Sequence, residues 1–169
     1  MKTSLSGLVA AAMLLCASVP VFAEAGWTTN YEKAMEQANT ENKAVLLNFT
    51  GSDWCPWCIK MKNETLDKPV FKDYAKQNLV LMMVDFPNQL PQPAFVKAQN
   101  EKLSKQFKVG GFPAFILLSK SGQVLWRQDG YLEGGPDAFL AQINKVYHPA
   151  PVAAASGDDF DSLFKKTAQ

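Results

Sequence analysis

Apolar and polar positions follow two different periods along this chain, and the places where the period changes mark its elements. Tyr31, Ala34, Met35 and Ala38 recur at helical spacing, and Thr29 followed by Glu32 has the form of a capping box, so a first helix is expected up to about Asn42. "AVLLNF", Ala44 to Phe49, and "LVLMMVDF", Leu79 to Phe86, are short, mostly apolar runs bounded by polar residues, as expected of strands buried on both faces. Between them helical spacing resumes at Cys55 and continues through Ile59 and Met61 to Leu66, and Pro69 opens a second short helix through Tyr74. After the loop "PNQLPQP", Val96, Leu103 and Phe107 mark another helix face. "AFILL", Ala114 to Leu118, and "QVLWR", Gln123 to Arg127, flank the turn "SKSG" as a hairpin. Pro136 opens a last helix whose apolar face is Phe139, Leu140, Ile143, Val146 and Tyr147. Strands joined by helices, then a hairpin and a closing helix, predict an α/β fold: a central mixed sheet with helices on both faces.

The two ends fall outside this pattern. Lys2, the apolar run from Leu8 to Val19 and the small-residue pattern Val21-Phe22-Ala23 have the form of an export signal over residues 1–23. The run is shorter than the roughly 20 residues of a membrane span, so cleavage is expected rather than stable insertion. Leu15 is bulky at the position before Cys16 where lipoprotein processing uses a small residue, which argues against a lipid anchor. Residues 24–147 are expected to form one domain, and residues 148–169 a Pro/Ala/Gly-rich flexible linker with a short amphipathic tail carrying Phe160, Leu163 and Phe164.

Charge narrows the choice of partners. The chain has 17 Lys and Arg against 16 Asp and Glu, and loss of Lys2 with the signal makes the two equal. There is no basic block or basic amphipathic face, so neither nucleic acid nor an anionic membrane surface is an expected partner. Loss of Cys16 leaves Cys55 and Cys58 as the cysteines of the exported chain, in a compartment that oxidises thiols, periplasmic or secreted.

Two thiols spaced Cys-x-x-Cys have three readings. A structural zinc site needs four ligands, and the exported chain adds only His148 to this pair; the same lone His, beyond the last helix, is a poor basis for copper delivery. A purely structural disulfide closing so small a loop contributes only roughly 2 kcal/mol. Redox exchange explains the neighbours as well. A helix starting at Cys55, with Pro56 in its first turn, puts the Cys55 sulfur at the positive end of the helix dipole and lowers its pKa. Cys58, one turn on, is placed to attack a mixed disulfide formed at Cys55. Trp54 and Trp57 then form either an apolar rim for substrate or simple packing at the helix start.

"WCPWCIKM", followed some fifty residues later by "VGGFPAF" and then by "GQVLWRQDGYL" with an amphipathic helix, resembles the thioredoxin superfamily over about residues 27–147. Within it, "NKAVLLNFTGSDWCPWCIKMKNETLDKPVF" is most similar to exported thioredoxin-like proteins and to the periplasmic C-terminal domain of DsbD-type thiol reductases. The resemblance implies a thioredoxin-like three-layer fold with Cys55 as nucleophile, Cys58 as resolving thiol and Pro113 as a cis-proline. Base rates alone favour an ordinary trans proline there. The resemblance also implies that the backbone of Phe112 pairs with the substrate like an added strand. With Phe112, Trp54, Pro56 and Trp57 are the expected substrate-contacting residues. One departure stands out: the family's buried acid in the strand before the active site is replaced by Asn48, which cannot titrate. Water, Asp53 or Glu64 remain as routes for the Cys58 proton.

The expected activity is thiol–disulfide exchange with cysteine-containing protein substrates, leaning toward reduction or isomerisation, with a membrane or soluble redox partner and with neither cofactor nor metal. The alternative is a noncatalytic peptide-binding or chaperone module using the Phe112–Pro113 groove without turnover.

Overall fold

The computed structural model describes residues 26–149. The expected export signal and all of the expected tail beyond Pro149 lie outside the described residues.

A two-residue strand, β1 (Trp27–Thr28), precedes helix α1 (Tyr31–Glu41) and strand β2 (Ala44–Thr50). Then come α2 (Pro56–Met61), a π-helical turn (Lys62–Leu66), α3 (Pro69–Asn78), β3 (Leu79–Asp85), α4 (Ala94–Gln106), the hairpin β4 (Ala114–Leu118) and β5 (Val124–Asp129), and α5 (Gly135–Asn144). The sheet order is β1-β3-β2-β4-β5: β3 pairs in parallel with β1 and β2, while β4 runs antiparallel to both β2 and β5. This is the expected three-layer α/β architecture.

All seven residues of β2 are buried, and the strand period sends them to two separate cores. Ala44 and Leu46 join Met61, Leu66, Phe71, Phe115, Phe139 and Ile143 under α2, α3 and α5. Val45, Leu47 and Phe49 join Ala34, Ala38, Val84, Leu103 and Ile116 under α1 and α4. Asn48 has the parity of Leu46, so it faces the layer that contains α2.

Several elements differ from expectation. Asn30, not Thr29, caps α1: its side chain accepts the Lys33 N–H at 2.9 Å, while Gln99 of α4 accepts from Tyr31 N and donates to the Thr29 carbonyl, both at 2.9 Å. The helical stretch after Cys55 tightens into α2 and then widens into the π-helical turn, and α3 runs on to Asn78 rather than stopping at Tyr74. Helix α5 ends at Asn144, so Phe139, Leu140 and Ile143 are buried as expected while Val146, past the helix end, is 42% exposed. Among the described residues no helix is long and apolar enough to cross a membrane.

Candidate active site

The loop leaving β2 turns on Gly51, whose carbonyl accepts from Trp54 N at 3.3 Å and Cys55 N at 2.9 Å. The Trp54 indole lies over Gly51 so closely that a Cβ there would overlap it, which is why this turn uses glycine. Cys55 follows in extended conformation as the N-cap of α2, with Pro56 in the first turn. Its Sγ accepts the backbone N–H of Cys58 at 3.2 Å, in the position that a Ser or Asp oxygen takes at ordinary helix starts. Cys55 and Cys58 are joined by a disulfide, with their Cα atoms 5.2 Å apart.

In this disulfide form neither cysteine is the more exposed. Cys55 is 4% and Cys58 5% exposed, because two sulfurs bonded across one helical turn share the same shelter. What separates them is the amide directed at Cys55.

The peptide bond between Phe112 and Pro113 is cis. Phe112 stacks on Phe86 with ring centroids 5.0 Å apart and meets the edge of Trp54 at 6.1 Å, and Trp54 Nε1 donates to the Phe86 carbonyl at 2.8 Å. The Phe112–Pro113 loop and the cysteine loop are thus brought together through Trp54. On the other side Trp57 lies against Tyr131 at 5.6 Å, and the Lys60 ammonium sits 4.6 Å from the Tyr131 ring centre and 5.5 Å from that of Trp57. Trp54 and Trp57 are 43% and 56% exposed, so they stand at the surface beside the disulfide rather than inside the core.

Both acids considered for the Cys58 proton have other partners. Asp53 points outward and accepts the backbone N–H groups of Asn88, Gln89 and Leu90 at 2.9, 2.7 and 3.0 Å. These amides, Asn88 foremost, hold its carboxyl below the usual range. Glu64 accepts from the Tyr131 hydroxyl at the surface, which pushes that phenol up to about 12.

Behind Cys58 lies instead a cavity of about 220 Å³ whose polar walls are Asn48, Thr50, Ser52, Lys62, Asp67 and Asp85. Asp85 accepts from Ser52 N and Oγ at 2.9 and 2.6 Å. Asp67 pairs with Lys62 and, at 3.0 Å, with Lys72. Burial pushes the Asp67 carboxyl up, but the two lysines outweigh it and hold it below the ordinary range. Lys62 stands one turn beyond Cys58, a placement its spacing in the sequence already gives. Asp67 reaches the cavity only through the π-helical turn, and no sequence pattern announced that. A larger cavity, about 460 Å³ between β1, β3 and α3, is lined by neither cysteine and is not the site.

Asn48 is 5% exposed and its Oδ1 has no hydrogen-bond partner among the described residues. Asn48→Asp is therefore expected to carry a desolvated carboxyl with a raised pKa. A pKa raised by folding makes the variant lose stability as pH climbs from the unfolded value near 4 through the folded one, by roughly 1.4 kcal/mol for every pH unit that separates the two. Melting temperatures of variant and parent, compared between pH 4 and 8, measure this, and parallel curves would contradict it.

Known proteins resemble this chain in sequence and fold to different extents. A family model described as a thioredoxin-like domain matches residues 31–147. Disulfide bond reductase DsbH of Chlamydia pneumoniae is 38% identical over 117 residues, which are 69% of this chain and 70% of that protein. A solved DsbH oxidoreductase superposes with a TM-score of 0.67 at 33% identity, covering 85% of this chain and 94% of its own. The oxidised C-terminal domain of Neisseria meningitidis DsbD shares the fold, with a TM-score of 0.52 at 22% identity over 69% of this chain and 92% of that domain.

Proposed function

The chain belongs to the thioredoxin-like domain family and is a thiol–disulfide oxidoreductase, and from that premise we propose that it is an exported reductase of protein disulfides in which Cys55 attacks and Cys58 resolves. The observation that carries the assignment of roles is the Cys58 N–H donated to Cys55 Sγ at the start of α2. An amide and a helix N-terminus aimed at one sulfur favour its thiolate over that of the other.

In the reduced enzyme the Cys55 thiolate attacks one sulfur of a substrate disulfide. A Cys55–substrate bond forms, the substrate S–S bond breaks, and the departing thiolate takes up a proton. Cys58 then loses its proton toward the polar cavity behind it and attacks Cys55 Sγ. This closes the Cys55–Cys58 disulfide and releases the second substrate thiol. Two electrons have passed to the substrate, and a dithiol partner, membrane-bound or soluble, must return them. Phe112, Trp54, Pro56 and Trp57 form the contact surface, and Pro113 shapes it. Export rests on the charged start, apolar run and Val21-Phe22-Ala23 pattern of the sequence.

The direction follows from what stabilises the Cys55 thiolate. Pro56 contributes no N–H and Trp57 no charge, so the reduced pair is favoured less than in the strongest oxidants. The similarity to a protein named a disulfide bond reductase supports the same direction. Equilibration with glutathione is expected to give a reduction potential between about −270 and about −200 mV. A value near −120 mV, with rapid oxidation of reduced peptides, would make the enzyme an oxidant instead.

A further inference from the structure

We propose that the loop from Phe86 to Pro93 is a substrate-selecting wall of this active site, locked in place by Asp53, and that it favours disulfide-bearing polypeptides with an apolar side chain flanking the attacked cysteine. The proposal rests on the reductase reading and deepens it.

The first observation is how the loop is held. Asp53, two residues before Cys55, uses both carboxylate oxygens to bind three successive loop amides, those of Asn88, Gln89 and Leu90. At one end of the loop Trp54 Nε1 binds the Phe86 carbonyl at 2.8 Å. At the other, Gln92 Nε2 donates to the Asp85 carbonyl at 3.0 Å, which Asn100 Nδ2 also reaches at 2.9 Å. A connection between a strand and a helix needs no such fastening to the cysteine loop. A surface that must meet a substrate in one shape gains from it, because little further order is lost on binding.

The second observation is what the fastening presents. Leu90 is 58% exposed and Ile59 of α2 40% exposed, and both line the mouth of the cavity that reaches Cys58. With Trp54 and Trp57 they make four of the eight large apolar side chains exposed among the described residues, and these four are all carried on the cysteine loop, α2 or this loop. Trp54 and Trp57 flank Cys55 in the chain, and Ile59 and Leu90 share their cavity with Cys58, so the occupant of this apolar surface is the chain that carries the disulfide. The Asp53 charge is already taken up by amides and offers a small anionic disulfide such as glutathione disulfide nothing. An apolar side chain of a polypeptide, by contrast, leaves water when it covers Leu90 and Ile59.

The test uses the exported chain and three substrates: two disulfide-linked peptides that differ only in Leu or Ser beside the cysteine, and hydroxyethyl disulfide. The parent is expected to prefer the Leu peptide about tenfold in kcat/KM, mostly through KM. Leu90→Ser should reduce that preference to about twofold or less. Asp53→Asn, which cannot accept from three amides with one oxygen, should leave it near threefold. The reduction potential should match the parent in both variants. Val124→Ser, which changes an exposed residue of β5, serves as the control and should keep the full preference. A Leu90→Ser enzyme that keeps the parent's preference of about tenfold for the Leu peptide, or that loses kcat/KM equally for all three substrates, overturns the proposal. A parent that reduces none of the three overturns the reductase reading itself and this inference with it.

Discussion

Cys58→Ser is expected to stop turnover and leave Cys55 covalently bound to substrate. Serine occupies nearly the same volume beside Asn48 and Lys62, but its hydroxyl is not a nucleophile toward a disulfide at neutral pH, so the mixed disulfide formed by Cys55 has no internal exit. Multiple turnover should fall by roughly a hundredfold or more, while the first attack proceeds. Incubation with an oxidised protein substrate, alkylation of free thiols and mass measurement should show a one-to-one adduct that disappears on adding dithiothreitol. Cys55→Ser should form no such adduct. If the Cys55→Ser protein traps substrate and the Cys58→Ser protein does not, the two roles are reversed, since the amide donated to Cys55 would then not decide which thiolate attacks.

The central part of the fold was legible because its elements have clear periods. β2 and β3 are apolar runs buried on both faces, and the hairpin of β4 and β5 lies on either side of a turn that chain chemistry announces. What escaped was set by distant partners. β1 is two residues long, too short for any period, and exists because Trp27 and Thr28 find Leu81 and Met82 of β3 alongside. The cap of α1 moved from Thr29 to Asn30 because Gln99, far along the chain on α4, takes over the backbone groups on either side. The widening of the helix at Lys62–Leu66 has no local signature, yet it is what brings Asp67 onto the cavity wall.

The site was legible where one residue type can do one thing. A Cys-x-x-Cys pair with proline at the helix start restricts where the sulfurs lie, and the structure puts Cys55 at the cap position. Acids are different, since a carboxylate serves equally as proton carrier, ion-pair partner or backbone anchor, and its neighbours decide which. Asp53 and Glu64 are close to the cysteines in sequence, but the structure gives them the loop amides and Tyr131. Lys62, Asp67 and Asp85 reach the cavity behind Cys58 from one turn beyond it, from the end of the π-helical turn and from the end of β3.

The largest loss of stability is expected from Phe139→Ala. Phe139 is fully buried where α5 closes over the sheet, and its ring meets three aromatic partners at steep angles: Phe115 at 5.0 Å, Trp126 at 5.4 Å and Phe71 at 5.8 Å. These partners come from β4, β5 and α3, so one side chain ties the hairpin, the last helix and the middle of the chain into one core. Truncation removes the transfer free energy of the ring and leaves a cavity that three rigid aromatics close poorly. The expected cost is about 3–5 kcal/mol, out of a total stability typically near 5–15 kcal/mol. The melting temperature should fall by roughly 8–15 °C. Phe95→Ala removes the same ring from α4 at a position 64% exposed and should change stability by no more than about 0.5 kcal/mol. Urea unfolding of the oxidised proteins measures both. In Phe139→Ala protein held well below its midpoint, the alkylation rate of reduced Cys55 should match the parent, because the amide that Cys58 directs at that sulfur belongs to α2 and not to α5. A Phe139→Ala cost below about 1 kcal/mol would mean that α5 is not integral to the core that supports the site.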